Sequence, residues 1–253
     1  MIIEVNLNDK KYQVNLSEPI DISIPIGQVK CFNAPDVRIE PYTDGDFIGS
    51  VNRGAPVNFY DVQLNPHGNG THTECLGHIT PAQESVNQVL KNFHFHAYLV
   101  TVPLETLDNG DQVITLDQLN PQLPTQIPSA IIIRTSPNPI EKKSKDYSGT
   151  NPPYITKDAM QLLVNLGVEH LLIDTPSVDR EVDKGVLAAH HLFWGLDLDG
   201  NTLDIRRNQA TITELIYVAD SIEDGYYLLN LQIAPLELDA SPSKPILYNL
   251  KAI

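Results

Sequence analysis

An apolar β-branched run, Ala130-Ile-Ile-Ile-Arg-Thr135, is followed by one helical segment and then by a second apolar run, His170-Leu-Leu-Ile-Asp174. That order constrains the fold more than any other feature of the chain. Short apolar runs with polar or proline punctuation read as buried strands. Between them Thr156 can N-cap a helix with apolar positions at 160, 162, 163 and 166, stopped by Gly167. Strand, helix and strand in sequence make a βαβ-like unit, so the fold class is α/β. Ala97-Tyr-Leu-Val-Thr-Val-Pro103 adds another buried strand, and a late strand is expected near Tyr226–Ala234. Most of the remaining chain alternates short strands and turns, which predicts more strand than helix. The N-terminus reads as a short strand reaching a turn at Asn8-Asp9. The 196–205 stretch alternates apolar and polar residues around Asp199-Gly200 and predicts a hairpin. It lacks the later ligands of a calcium loop. Residues 137–153 are polar, basic and bracketed by prolines, hence a loop. No linker divides the 253 residues, so one domain over 1–253 is expected, with the 195–206 hairpin as an insertion.

Charge narrows the partners. A net charge of −15 disfavours nucleic acid, whose phosphates need Lys/Arg neutralisation, and disfavours an anionic membrane surface. No apolar run approaches the length of a membrane helix, and the N-terminus lacks the basic start of a signal peptide. Two cysteines, Cys31 and Cys75, make no disulfide framework. The expectation is a reduced, cytoplasmic protein acting on a small molecule.

Chemistry concentrates in His67-Gly-Asn-Gly-Thr-His72-Thr-Glu74-Cys-Leu-Gly-His78. Three of the eight histidines fall here. Imidazole and carboxylate are the usual ligands of zinc and other first-row divalent ions. Gly68, Gly70 and Gly77 remove side-chain bulk where the chain must turn, and Pro66 argues against a helix through the cluster. A loop-borne metal or acid/base site is expected. Cys75 reads as a small buried hydrophobe. A second polar cluster runs from Asp174 to Asp179 and on to His190-His191, and Asp174 ends an apolar strand. Glu214 interrupts the apolar stretch 210–218, so its carboxylate needs a partner: a metal ion, or an arginine such as Arg134 or Arg206. His94, His96 and His170 read as structural.

In order, these segments resemble the metal-dependent cyclase / kynurenine formamidase family. That family carries His-x-Gly-Thr-His-x-Asp-x-Pro-x-His, a strand ending Gly-x-Asp-Thr-x-Ser-x-Asp, a later His, and Glu-Asn-Leu. The counterparts are Gly70-Thr71-His72-x-Glu74-x-x-x-His78, Ile173-Asp174-Thr-Pro-Ser-Val-Asp179, His190-His191, and Thr213-Glu214-Leu215. The resemblance implies a swivelling β/β/α fold, a divalent metal (Zn or Mn), and a homodimer or higher homo-oligomer. It implies metal ligation by His67, His72, Glu74, His190 and Glu214, with His78 as the catalytic acid/base. His191 competes with His190 for its role, and Asp174 is a further site candidate. Three departures stand out. His67 and His72 are five apart where the family has four, so a bulge beside Gly68 is needed. Glu74 replaces Asp. His190 and Glu214 are farther apart than in the family, with the 195–206 segment between them. The implied activity is hydrolysis of a small amide, formamide or lactam. A cyclase or dehydratase on a small carbonyl compound, or a binding protein with a degenerate metal site, are the alternatives.

Overall fold

The computed structural model describes residues 1–7 and 10–253. The turn expected at Asn8-Asp9 lies outside the described residues. Seven strands form the centre: β1 His72–Glu74, β2 His94–Pro103, β3 Ala130–Ser136, β4 His170–Ile173, β5 Thr211–Glu214, β6 Gly225–Ile233 and β7 Ala240–Asn249. They pair in the order β6-β2-β3-β4-β5-β1-β7, and β6 also pairs β7, which closes the sheet into a barrel. β2, β3, β4 and β5 run parallel, and the other pairings are antiparallel. The parallel steps need long crossovers. One of them carries helix α1, Lys157–Asn165, which follows Thr156 and ends before Gly167 at a φ of 77°. Another carries helix α2, Ala188–Phe193.

Strand alternation divides the core in two. Ala130 and Ile132 point into the barrel with Leu99, Leu172 and Leu229. Ile131 and Ile133 point outward, where Leu171, Ile212, Met160, Leu163 and Phe193 join them under the helices. Strands buried on both faces read as continuous apolar runs, which is why 130–135 stood out in the sequence. The 196–205 segment is less than a full hairpin: a single bridge, Leu196 to Thr202, closes an Asp-Gly turn, and Ile205–Arg207 form a 3-10 turn. The 137–153 loop contains one 3-10 turn, Ile140–Ser144.

His170 opens β4 inside this frame. Its Nδ1 lies 2.8 Å from the Thr211 hydroxyl, and its ring packs 4.1 Å from Phe95. Burial, helped by the nearby Arg207 charge, pushes its pKa down to about 4. The unfolded chain takes up this proton near pH 6.5, the folded chain only near 4. The stability contribution is therefore intact above about pH 6.5 and lost as pH falls toward 4, by up to about 3 kcal/mol. Urea titrations at pH 7 and 4.5 should show this loss, and His170→Asn should flatten it. An equal pH slope in the variant would place the acid sensitivity elsewhere.

Candidate metal centre

The period of two in a strand places His72 and Glu74 on one face of β1 and Thr73 on the other. His72 stands opposite Glu214 and Glu74 opposite Ile212. Ile212 belongs to the outer core, so His72, Glu74 and Glu214 lie outside the barrel, facing α2. Thr73 points inward and shares a 2.8 Å hydrogen bond with Thr213. All three outer side chains are buried.

His67 reaches the same place through a turn. The Gly68 amide donates to the Asn65 carbonyl, and a Cβ on Gly68 would stand 2.3 Å from that of Ala34. This tight passage lies between His67 and His72 and leaves no room for a side chain at position 68. The His67 ring packs 5.1 Å from His72 and 4.3 Å from His78, and its Nδ1 is 3.2 Å from Glu74 Oε2. His78 ends a 3-10 turn, Leu76–His78, with its Nε2 3.9 Å from Glu74 Oε2. His190 enters from α2, with Nε2 3.0 Å from Glu74 Oε1 and 3.8 Å from Glu214 Oε1. Glu214 also accepts a 2.9 Å hydrogen bond from the Val178 amide and faces His72 Nε2 at 3.4 Å.

The far nitrogens are equally organised. His72 Nδ1 donates to the Gly70 carbonyl at 3.1 Å. His190 Nδ1 donates to Asp179 at 2.7 Å. Asp239 accepts from His67 Nε2 at 2.9 Å and from His78 Nδ1 at 3.1 Å. A histidine that commits one nitrogen to a fixed acceptor presents the other as a lone pair in a fixed direction. The inward nitrogens of His67 and His190 face Glu74 and that of His72 faces Glu214; in the metal-free protein His67 and His190 hold protons shared with Glu74, which a bound cation would replace. Ligand atoms of His67, Glu74 and His78 lie within 4.8 Å of one another, as do those of His72, Glu74 and Glu214. His72 Nε2 and Glu74 Oε2 are buried without a hydrogen-bond partner. Such atoms carry a desolvation cost that a cation would offset, so the donor set fits a divalent ion.

Charge follows the geometry. Burial disfavours the charged form of His67, yet Asp239 and Glu74 outweigh it and push its pKa up to about 10. Burial likewise opposes a charge on His190, and Glu74 and Asp179 hold it well above the usual imidazole range. Burial raises the Glu74 pKa, but His78 and His190 keep it well below the usual carboxylate range. The hydrogen bonds from His67 and His78 hold Asp239 ionised.

Two candidates fall outside this cluster. His191, on the next position of α2, turns away and bonds the Asp197 carbonyl. Asp174 is buried behind the site, where it accepts from Thr135 and from Lys142 Nζ at 2.8 Å. Neither arginine pairs with Glu214: Arg134 binds Asp224 and Thr101, and Arg206 binds Asp204. Cys75 points to the Glu84 carbonyl. Two carboxylates gain roles that the sequence did not announce. Asp179 also accepts the Ala189 and His190 amides at the start of α2, so one side chain caps the helix and aims its histidine. Asp239 precedes β7, far from His67 in sequence. Asp179→Asn should weaken metal affinity 10–100-fold, the usual effect of losing a ligand's hydrogen-bond partner. Unchanged affinity in a metal titration would reduce Asp179 to a helix cap.

The cyclase family model matches residues 14–180. The chain belongs to the cyclase family. Among curated relatives of this family member, kynurenine formamidase of Bordetella petrii is 25% identical over 210 residues, covering 79% of this chain and 85% of that one. Kynurenine formamidase of Bordetella avium is 26% identical, covering 77% and 82%. A structure described as a potential metal-dependent hydrolase with cyclase activity superposes with a TM-score of 0.63 at 15% identity, covering 91% of this chain and 97% of its own. An isatin hydrolase bound to thioisatinate gives 0.63 at 16% identity, covering 92% and 93%. The swivelling β/β/α cyclase fold expected from the motifs is the fold of this family member.

Proposed function

We propose that this cyclase-family protein is a metal-dependent hydrolase of a small amide, formamide or lactam. The observation that carries the reading is the gathering of His67, His190, His72 and Glu214 around Glu74, with His72 Nε2 and Glu74 Oε2 buried without a hydrogen bond and facing only other candidate ligands and His78. These five residues would hold the ion, zinc by first preference for the imidazole set and manganese for the carboxylates. Once bound, a divalent ion supplies an acidified water and polarises a carbonyl. The protein supplies the rest. Asp239 holds His78 by Nδ1, which leaves Nε2 on the cluster side to carry a proton to a leaving nitrogen. Above the cluster lies a cavity of about 340 Å³. Phe32, Ala34 and Leu187 give it an apolar wall. That size and lining suit one small, largely apolar ring or acyl group. The relatives named kynurenine formamidase and isatin hydrolase support the same substrate class.

The test is metal analysis of the purified protein with assays on N-formylkynurenine, isatin and simple lactones. Near-stoichiometric zinc or manganese and hydrolysis abolished by chelation are expected. Full activity in metal-free protein would sink the reading. Metal with ring closure or dehydration but no hydrolysis would favour a cyclase, and protein without metal or turnover a binding role.

We also assign the protein to the cytoplasm. Cys31 and Cys75 are both free and buried, and no helix among the described residues is long and apolar enough to cross a membrane. A second copy of the chain is its proposed partner. Among the described residues, the strands Arg38–Pro41 and Tyr60–Gln63 pair only with each other, and Ile39, Phe59, Tyr60 and Val62 are exposed on them or beside them. Two-stranded ribbons with bare apolar faces need cover. Light scattering should give a dimer or larger, and Ile39→Asp with Val62→Asp should dissociate it. A wild-type monomer at micromolar concentration would remove this partner.

A further inference from the structure

At the N-terminal end of β4 and β5, away from the candidate metal centre, lies a second cavity of about 140 Å³. Three cationic side chains, Lys91, Arg206 and Arg207, line it with His170 and one carboxylate, Glu169. Asp204 takes up Arg206 Nε and Nη2, so the lining cations without an ion pair among the described residues are Lys91 and Arg207. Arg207 is the informative member. It is only 7% exposed, yet no carboxylate among the described residues forms an ion pair with it. Its Nε and Nη2 donate to the Phe193 and Val168 carbonyls, and its guanidinium stacks on Phe193. The Phe193 carbonyl is at the last residue of α2 and that of Val168 lies three residues beyond α1, and they offset part of the charge, as helix C-termini do. Nη1 has no acceptor among the described residues. Lys91 Nζ donates to the Asn87 carbonyl and forms no ion pair among the described residues, with Glu237 as an electrostatic partner. A buried guanidinium without a carboxylate is costly, and its planar fork matches oxyanions. The cavity is smaller than the ~300 Å³ at which drug-sized ligand sites begin.

We propose that this cavity is a binding site for a small tetrahedral oxyanion of the phosphate class. Arg207 Nη1 binds it from within, and Lys91 Nζ and Arg206 Nη1, the nitrogen that Asp204 leaves open, close the rim. The site is independent of the metal reading. Glu214 stands at the other end of β5, ~10 Å along the strand from Thr211, and on its outer face.

The test uses inorganic phosphate on the full-length protein, compared with chloride at equal ionic strength. Phosphate should raise the melting temperature and saturate at about one equivalent. Lys91→Gln combined with Arg206→Gln alters exposed side chains only, and should weaken the phosphate affinity at least tenfold with the starting melting temperature retained. Arg207→Lys, if folded, should weaken it further. Selenate soaked into crystals should give an anomalous peak in the cavity. Phosphate binding that survives in the double variant, or a selenate peak only at the His67–Glu214 cluster, would overturn the proposal. No phosphate effect beyond that of chloride would overturn it too. A phenyl phosphate titration separates free phosphate from a phosphate group on a larger molecule: the cavity size predicts that only the free ion binds tightly.

Discussion

Glu74→Ala should yield protein without metal and a metal-free fold weaker than the chelated wild type by about 3–5 kcal/mol, the usual cost of breaking a buried ion pair. The size follows from where Glu74 sits. It is fully buried and its two oxygens serve three histidines: Oε1 faces His190 at 3.0 Å, and Oε2 faces His67 at 3.2 Å and His78 at 3.9 Å. Both candidate ligand groups include it, so its loss removes a donor from each. Without it, His67 and His190 lose the carboxylate that outweighs their burial. Elemental analysis and thermal melts on one preparation, before and after chelation, decide the matter. Stoichiometric metal in the variant would overturn the ligand assignment. Metal loss without destabilisation would show that the metal-free pairs contribute little.

His78→Ala should keep its metal and lose about 10²–10⁴-fold in kcat, the usual range for general acid/base catalysis. His78 Nε2 stands 3.9 Å from Glu74 Oε2, farther than the facing nitrogens of His67 and His190, and the residue is more exposed than His72 or His190. Its Nδ1 is committed to Asp239, so Nε2 is the nitrogen left for proton exchange. His72→Ala should instead lose metal and turnover together, because its fully buried Nε2 makes no hydrogen bond and faces only Glu214, another candidate ligand. A folded, metal-free His78→Ala protein would move His78 from the acid/base role into the ligand set. Retained kcat would remove it from the chemistry.

Much of the fold was legible because its signals are local. The runs at 97–103, 130–135 and 170–174, the Thr156 start and the Gly167 stop all correspond to elements of the structure. The 196–205 alternation read as a hairpin but forms only one bridge. Its apolar residues Leu198, Leu203 and Ile205 are exposed, so no buried face holds a second strand in register. For the cluster, the residue types were informative but the expected loop was not what formed: His72–Glu74 is a short buried strand, and its two-residue period puts 72 and 74 on one face.

What the sequence could not settle was which face, and with which partners. His190 and His191 are adjacent on one helix, so their side chains diverge, and only the packing of α2 against β1 and β5 turns His190 inward. Asp174 ends a strand as expected, but the strand's direction delivers it to Lys142 rather than to the cluster. Asp239 lies 172 residues from His67, and no pattern within either segment relates them. The sequence by itself determined most of the local elements and the ligand types, since these follow from residue chemistry and short-range periodicity; it read the His67–His78 segment as a loop, and the strand His72–Glu74 that puts His72 and Glu74 on one face exists only through its pairing with β5 and β7. Only the tertiary structure decided how the cluster closes. β7 pairs with both β1 and β6, and this closure brings Asp239 beside the histidines; pairings across such distances depend on the summed packing of the barrel.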